Sequence, residues 1–146
     1  MRRNRPCRCA ADLEAGGRIA VTFEMEARLT RANPLLRDDI GKVAVERGPL
    51  VYAAEGLDQA PGTTAFDLQL AGAGVSLGVE IEPAGGIVRL AHAAVRARRP
   101  SREQALYDAA DEKRAPTGEM VLIPYHAYQN RGTTSTAVWL PYRELR

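Results

Sequence analysis

The sequence predicts an all-β fold, an antiparallel sandwich of jelly-roll type with about eight strands. Three observations lead there. Apolar and polar residues alternate over several short runs, the period of a strand with one face in water. Turn residues punctuate the chain at roughly 8–15-residue spacing, the rhythm of a sandwich or barrel. Helix-like patterning is confined to one short segment near 101–113. The chain has 146 residues, 45% of them apolar and 26% charged, enough for one such domain without a disulfide or metal staple.

The elements follow in order. Residues 1–12 read as a disordered basic arm and 13–146 as the domain, with a sub-boundary near 58–64. From Arg18 to Leu29 the apolar residues are Ile19, Val21, Phe23, Met25, Ala27 and Leu29, every second position. That is a half-buried strand whose inner face contributes on the order of 10 kcal/mol before entropy is subtracted. Asn33-Pro34 and Asp38 to Gly41 are turn signals. Lys42 to Glu46 is a strand, and Leu50 to Glu55 resumes it after Arg47-Gly48-Pro49. Because Pro49 cannot donate to a ladder, a bulge, kink or strand edge is expected there. Residues 56–64 are a loop. Phe66, Leu68 and Leu70 form a hairpin with Val75, Leu77, Val79 and Ile81. Ile87 to Val95 is the next strand, and the basic cluster Arg96 to Arg99 is a solvated edge. Ser101 with Gln104 suits the start of a short helix. Met120 to Ile123 and Thr136 to Leu140 are the last strands.

Charge and cysteines narrow the classes. The net charge is +2, but Arg2, Arg3, Arg5 and Arg8 all lie in the arm. Beyond the first nine residues, 16 basic residues face 18 acidic ones. The body is therefore no polyanion binder, and nucleic acid is not an expected partner. No run of 18 apolar residues exists, so no membrane span is expected, and the basic start lacks the apolar core of a secretory signal. A cytoplasmic location is the default, with Cys7 and Cys9 as reduced thiols. Their C-x-C spacing gives two of the four ligands a zinc site needs, while His92 and His126 are distant in sequence.

There is no G-x-S-x-G, no P-loop and no G-x-G-x-x-G followed by a helix. Glu24 and Glu26 read as solvent-facing charges of a strand. The densest polar and aromatic segment runs from Ile123 to Gly132, with Trp139 close behind. Tyr125, His126, Tyr128, Asn130, Arg131 and Trp139 are the candidates to stack on a sugar ring and bond its hydroxyls. The alternative is that the aromatics cap the core while Asn130 and Arg131 tie the turn. A small hydrolase built on His126 or carboxylates lacks visible orienting partners.

Two segments together resemble a known family. Gly41-Lys42-Val43-Ala44-Val45-Glu46-Arg47-Gly48-Pro49-Leu50-Val51-Tyr52, then Glu55-Gly56-Leu57-Asp58, is similar to the GKVA-x-x-RGPLVY…E-x-x-D stretch of the β-L-arabinofuranosidase family, glycoside hydrolase family 127. Ile123 to Gly132, then Val138-Trp139-Leu140, is similar to its later IPYYAWANRG…VW segment. His126, Tyr128 and Gln129 stand where the family tends to have Tyr, Trp and Ala, and Ala53 where Cys is common. The resemblance runs from about residue 13 to the C-terminus and implies the family's C-terminal β-sandwich. It makes Arg47, Gly48, Pro49 and Tyr52 a structural motif. It also implies that the catalytic (α/α)6-barrel, with its zinc-bound cysteine nucleophile and glutamates, lies in an upstream region that this chain does not match. No catalytic residue, metal ligand or cofactor is therefore assigned to this chain. The expected role is to brace that barrel, in the same enzyme or as a split partner chain, or to form a homodimer contact. The alternative is a free-standing module for an arabinose-containing glycan.

Overall fold

The computed structural model describes residues 15–71, 78–81, 88–96 and 118–143. The arm, the C-x-C pair, the expected helix near 101–113 and the cluster beyond Arg96 lie outside these residues. Among the described residues the fold is all-β. Its strands are β1 (Ala27–Arg31), β2 (Lys42–Arg47), β3 (Leu50–Glu55), β4 (Leu68–Ala71), β5 (Gly78–Ile81), β6 (Val88–Arg96), β7 (Gly118–Pro124), β8 (Thr136–Ala137) and β9 (Leu140–Arg143). Short 3-10 turns at Arg37–Asp39, Gly56–Asp58, Ala65–Asp67 and Tyr125–Ala127 are the helical elements.

The strands run in the order β1-β2-β9-β4-β6-β7-β3-β8, with β5 paired to β6. β2 also pairs with β3, so two strands far apart in that order meet and the sheet folds back over itself. β2 is the corner. It pairs with β3 through Val45↔Tyr52 and Arg47↔Leu50, and with β9 through Lys42↔Pro141 and Val43↔Leu140. Strands shared between layers make the corners of sandwiches. One pair departs from the antiparallel pattern: β4 and β9 run parallel, Leu70 beside Tyr142 and Ala71 beside Arg143. Between the folded halves lies one core built from Val43, Val45, Tyr52, Ala54, Leu70, Leu90, Met120, Leu122 and Leu140. These positions alternate along their strands, as a pleated half-buried surface requires.

Five expectations change, four of them local. Arg47-Gly48-Pro49 does not interrupt one strand; it reverses the chain between two. Gly48 has φ +57° and is followed by Pro49, whose ring fixes φ near −65°, the type II′ hairpin pattern. β4 and β5 do not pair with each other; both pair with β6, through Leu68↔Arg96 and Gly78↔Ala91. Phe66 belongs to a 3-10 turn and is exposed. The stretch expected as one strand over Thr136–Leu140 is two, because bends at 138–139 divide β8 from β9.

The largest change is at the N-terminal side. Only Ala27–Arg31 of the expected 18–29 strand is paired, to β2. Residues 17–26 carry no strand pairing among the described residues, and Ile19, Val21, Phe23 and Met25 are 68%, 68%, 56% and 37% exposed. An alternating segment needs a neighbour to satisfy its backbone and cover its apolar face. Among the described residues that neighbour is not supplied.

The core assignment has a direct check. Leu122 is fully buried and Leu36 is mostly exposed. In urea unfolding, Leu122→Ala lowers stability by about 2–5 kcal/mol, while Leu36→Ala changes it by less than about 0.5 kcal/mol.

Candidate functional site

On β3, Tyr52 and Ala54 point into the core, so Ala53 and Glu55 face the other way. On β7, Met120 and Leu122 point in and Ile123 points out beside Ala53. Yet Ala53, Glu55 and Ile123 are all buried. The chain after β7 packs on this side of β3. The 3-10 turn Tyr125–Ala127 folds back, Ala127 is buried, and residues 128–132 lie against Glu55.

Glu55 is the centre of this layer. Its side chain is wholly buried and ionisable, a combination that needs full hydrogen bonding and an opposite charge. Oε1 accepts from the Gln129 backbone N–H at 2.6 Å, and Oε2 accepts from Arg131 Nη2 at 2.8 Å. Gln129 holds φ +58°, in the left-handed region, with its N–H turned to the carboxylate. Arg131 is shared. Its Nη1 donates to Asp58 Oδ1 at 2.7 Å, and Nη2 donates to Asp58 Oδ2 as well. This is the planar bidentate fork that a lysine cannot reproduce. Asp58 is 4% exposed and also faces Arg89, with Nη2 3.7 Å from Oδ1. Two carboxylates and two guanidiniums thus balance within one cluster. The hydrogen bond to Asp58 first, and that to Glu55 next, push the Arg131 pKa up despite partial burial.

Gln59 completes the layer. Its Nε2 donates to the carbonyls of Glu55 and Val121, both at 2.8 Å, and its Oε1 accepts from the Val121 N–H at 3.3 Å. The side-chain amide therefore acts as one more residue of strand beside β7. Gly56 lets the chain pass under the 134–135 segment. Its N–H donates to the Ser135 carbonyl at 2.9 Å, and a Cβ there would sit 2.7 Å from Ser135 Oγ and 2.8 Å from Thr134 Oγ1.

The expected site residues divide. Tyr125, His126, Tyr128, Asn130 and Arg131 come together on one loop; Trp139 lies apart, half-buried in the bend between β8 and β9. Tyr125 and Tyr128 stack on each other, centroids 5.0 Å apart and planes 10° from parallel, and both are exposed. His126 and Asn130 are exposed beside them. The Arg131 guanidinium is engaged by the two carboxylates. Arg47, Gly48 and Pro49 form the hairpin turn, and Tyr52 is in the core. Burial pushes the Tyr52 hydroxyl pKa up, against the pull of the Arg47 charge. Glu55, Asp58 and Gln59 were not singled out by residue type. For the two acids a signal exists, a Glu ending an apolar strand with an Asp three residues on. For Gln59 there is none.

A concavity of about 260 Å³ is lined by Arg31, Pro34, Asp39, Ile40, Lys42 and Tyr142. Its cations are engaged, Arg31 over the Tyr142 ring at 5.1 Å and Lys42 with Asp39 at 3.7 Å. Among the described residues no three His, Cys, Asp or Glu side chains converge to hold a metal ion. No helix among them is long and apolar enough to cross a membrane.

Comparison with known proteins bears on this geometry. The model of the glycoside hydrolase family 127 C-terminal domain matches residues 27–141. A non-reducing end β-L-arabinofuranosidase of Bifidobacterium longum subsp. longum is 37% identical over 118 residues, covering 77% of this chain and 18% of that protein. The crystal structure of a family 127 β-L-arabinofuranosidase from Geobacillus stearothermophilus T6 superposes with a TM-score of 0.69 at 30% identity, covering 82% of this chain and 18% of that one. A solved family 127 β-arabinofuranosidase gives 0.64 at 33% identity, with 82% and 17% covered. This chain thus spans about a fifth of the length of the relatives it matches.

Removing the shared cation leaves a buried carboxylate unpaired. Arg131→Met lowers unfolding free energy by about 2–3 kcal/mol, the low side of what breaking a buried pair costs, because the Arg131 side chain keeps 35% exposure. Arg131→Lys recovers less than half of that loss, measured in the same denaturant titration.

Proposed function

The chain belongs to glycoside hydrolase family 127 as its C-terminal domain, and from that premise we propose that it is a non-catalytic module that braces the catalytic region of a β-L-arabinofuranosidase-like enzyme. The observation that carries the reading is the confinement of the match to a C-terminal domain about a fifth of the relatives' length. The geometry supports it. The two segments most like the family, around Glu55-Asp58 and around Arg131, meet in an ion-pair cluster whose charges are spent on one another. Such a cluster fixes a loop in place; it offers no free base or nucleophile. In this reading zinc and the nucleophile belong to the upstream barrel, and the partner of this module is that barrel.

The test is direct. The purified chain gives no hydrolysis of an aryl β-L-arabinofuranoside above the buffer rate. In the intact Bifidobacterium relative, the C-terminal domain unfolds together with the rest of the protein in one calorimetric transition. Turnover by the chain alone, or two independent transitions in the relative, contradicts the proposal.

One observation favours a second reading, a module that binds arabinose-containing glycan. Two exposed, parallel tyrosines present an aromatic face to solvent, the surface a sugar ring stacks on. If this reading holds, calorimetry with arabino-oligosaccharides shows binding heat that Tyr125→Ala and Tyr128→Ala abolish. No heat at millimolar sugar dismisses it.

A further inference from the structure

We infer that residues 17–26 are an edge strand that completes a β-sheet in the domain preceding this one in full-length relatives; this rests on the reading of the chain as a C-terminal module. The observations start with one uninterrupted row. Ile19, Val21, Phe23, Met25, Ala27 and Leu29 share strand parity. The last two pack against this domain's core, while Ile19, Val21 and Phe23 are more than half exposed and Met25 is 37% exposed. The row does not change face where β1 begins. A single extended segment therefore serves two cores, one of them outside this domain.

The segment has the dimensions of a strand. Residues 19–25 span about 20 Å when extended, the length of an ordinary strand. The alternate positions, Ala20, Thr22, Glu24 and Glu26, suit a solvated outer face. Its C-terminal end is seated: a Cβ on Gly48 would lie 2.5 Å from Met25 Sδ and 3.0 Å from the Glu24 carbonyl. The segment passes over the β2–β3 turn so closely that only glycine fits there. It also precedes residue 27, where the C-terminal domain match starts, and so lies on the side where relatives carry the rest of their chain.

A second copy of this chain is a poorer occupant. Antiparallel pairing about Thr22 sets Ile19 against Met25 and Val21 against Phe23, but both rows then fall on one side of a two-stranded ribbon. That ribbon leaves eight large side chains in water, and two-stranded ribbons are marginal by themselves. A sheet that already has a core buries the row and pairs the backbone at once.

Hydrogen exchange tests this in two proteins as they exist. In the 146-residue chain, amides 19–25 exchange within tenfold of the unstructured rate, and Val21→Asp with Phe23→Asp leaves the melting temperature unchanged. In the intact Bifidobacterium relative, the strand just before the C-terminal domain is protected at least 100-fold. Equal, fast exchange in both overturns the inference. So does concentration-dependent protection of 19–25 in the lone chain, which would make a second copy the occupant. Joint melting of the relative with that strand unprotected refutes only this inference, and separate melting with the strand protected refutes only the bracing role.

Discussion

A carboxylate that reaches the end of β3 with no water around it sets the terms for this domain. Glu55 lies on the face of the sheet turned away from the core, yet it is sealed. A charge in that position is tolerable only if donors are brought to it, and the donors come from 74 and 76 residues along the chain. Arg131 cannot satisfy Glu55 alone without idle donors of its own, so Asp58 takes them, and Asp58 in turn faces Arg89 on β6. The 3-10 turn after β3, the loop after β7 and the first residues of β6 are fixed by one chain of charges.

The rest of the outer layer follows from that anchor. Ala53 and Ile123 are buried on the same side of the sheet as Glu55, so β3 and β7 are apolar at consecutive positions rather than alternate ones. Gln59 can then use its amide as a rung of ladder, because the ordered turn holds it beside Val121. Gly56 is confined to glycine by the same crowding. The loop thereby gains a rigid base, and the stacked tyrosines stand on it with little freedom to lose on contact with a partner.

Much of this is legible before any coordinates. Alternation or apolar runs mark β2, β3, β6 and β7, and these strands carry most of the core. The family resemblance rests on the two segments that the structure joins. The illegible parts share a cause, which is dependence on distant residues. The burial of Glu55 at an outward strand position has no local signal, because nothing nearby announces the loop that reaches it. Gly48-Pro49 reads as an interruption, since a proline in a strand and a proline in a II′ turn look alike until the two flanking runs are known to pair. The β4–β9 pair is parallel and joins residues some seventy positions apart. The 18–29 pattern is plain, but the surface that would answer it is not among the described residues.

The placement of β9 bears on how the domain is made. It is the last strand in chain order, yet it sits between β2 and β4, early strands that touch each other only through it in the strand order. On a ribosome, β1, β2 and β3 can pair as they emerge, but the seam between β2 and β4 stays open until residue 143 has left the exit tunnel. Its backbone groups and the Leu70 side of the core are exposed for that whole interval. Vectorial synthesis therefore holds the sandwich open until β9 has emerged, and places a window of aggregation risk between the emergence of β4 and that of β9.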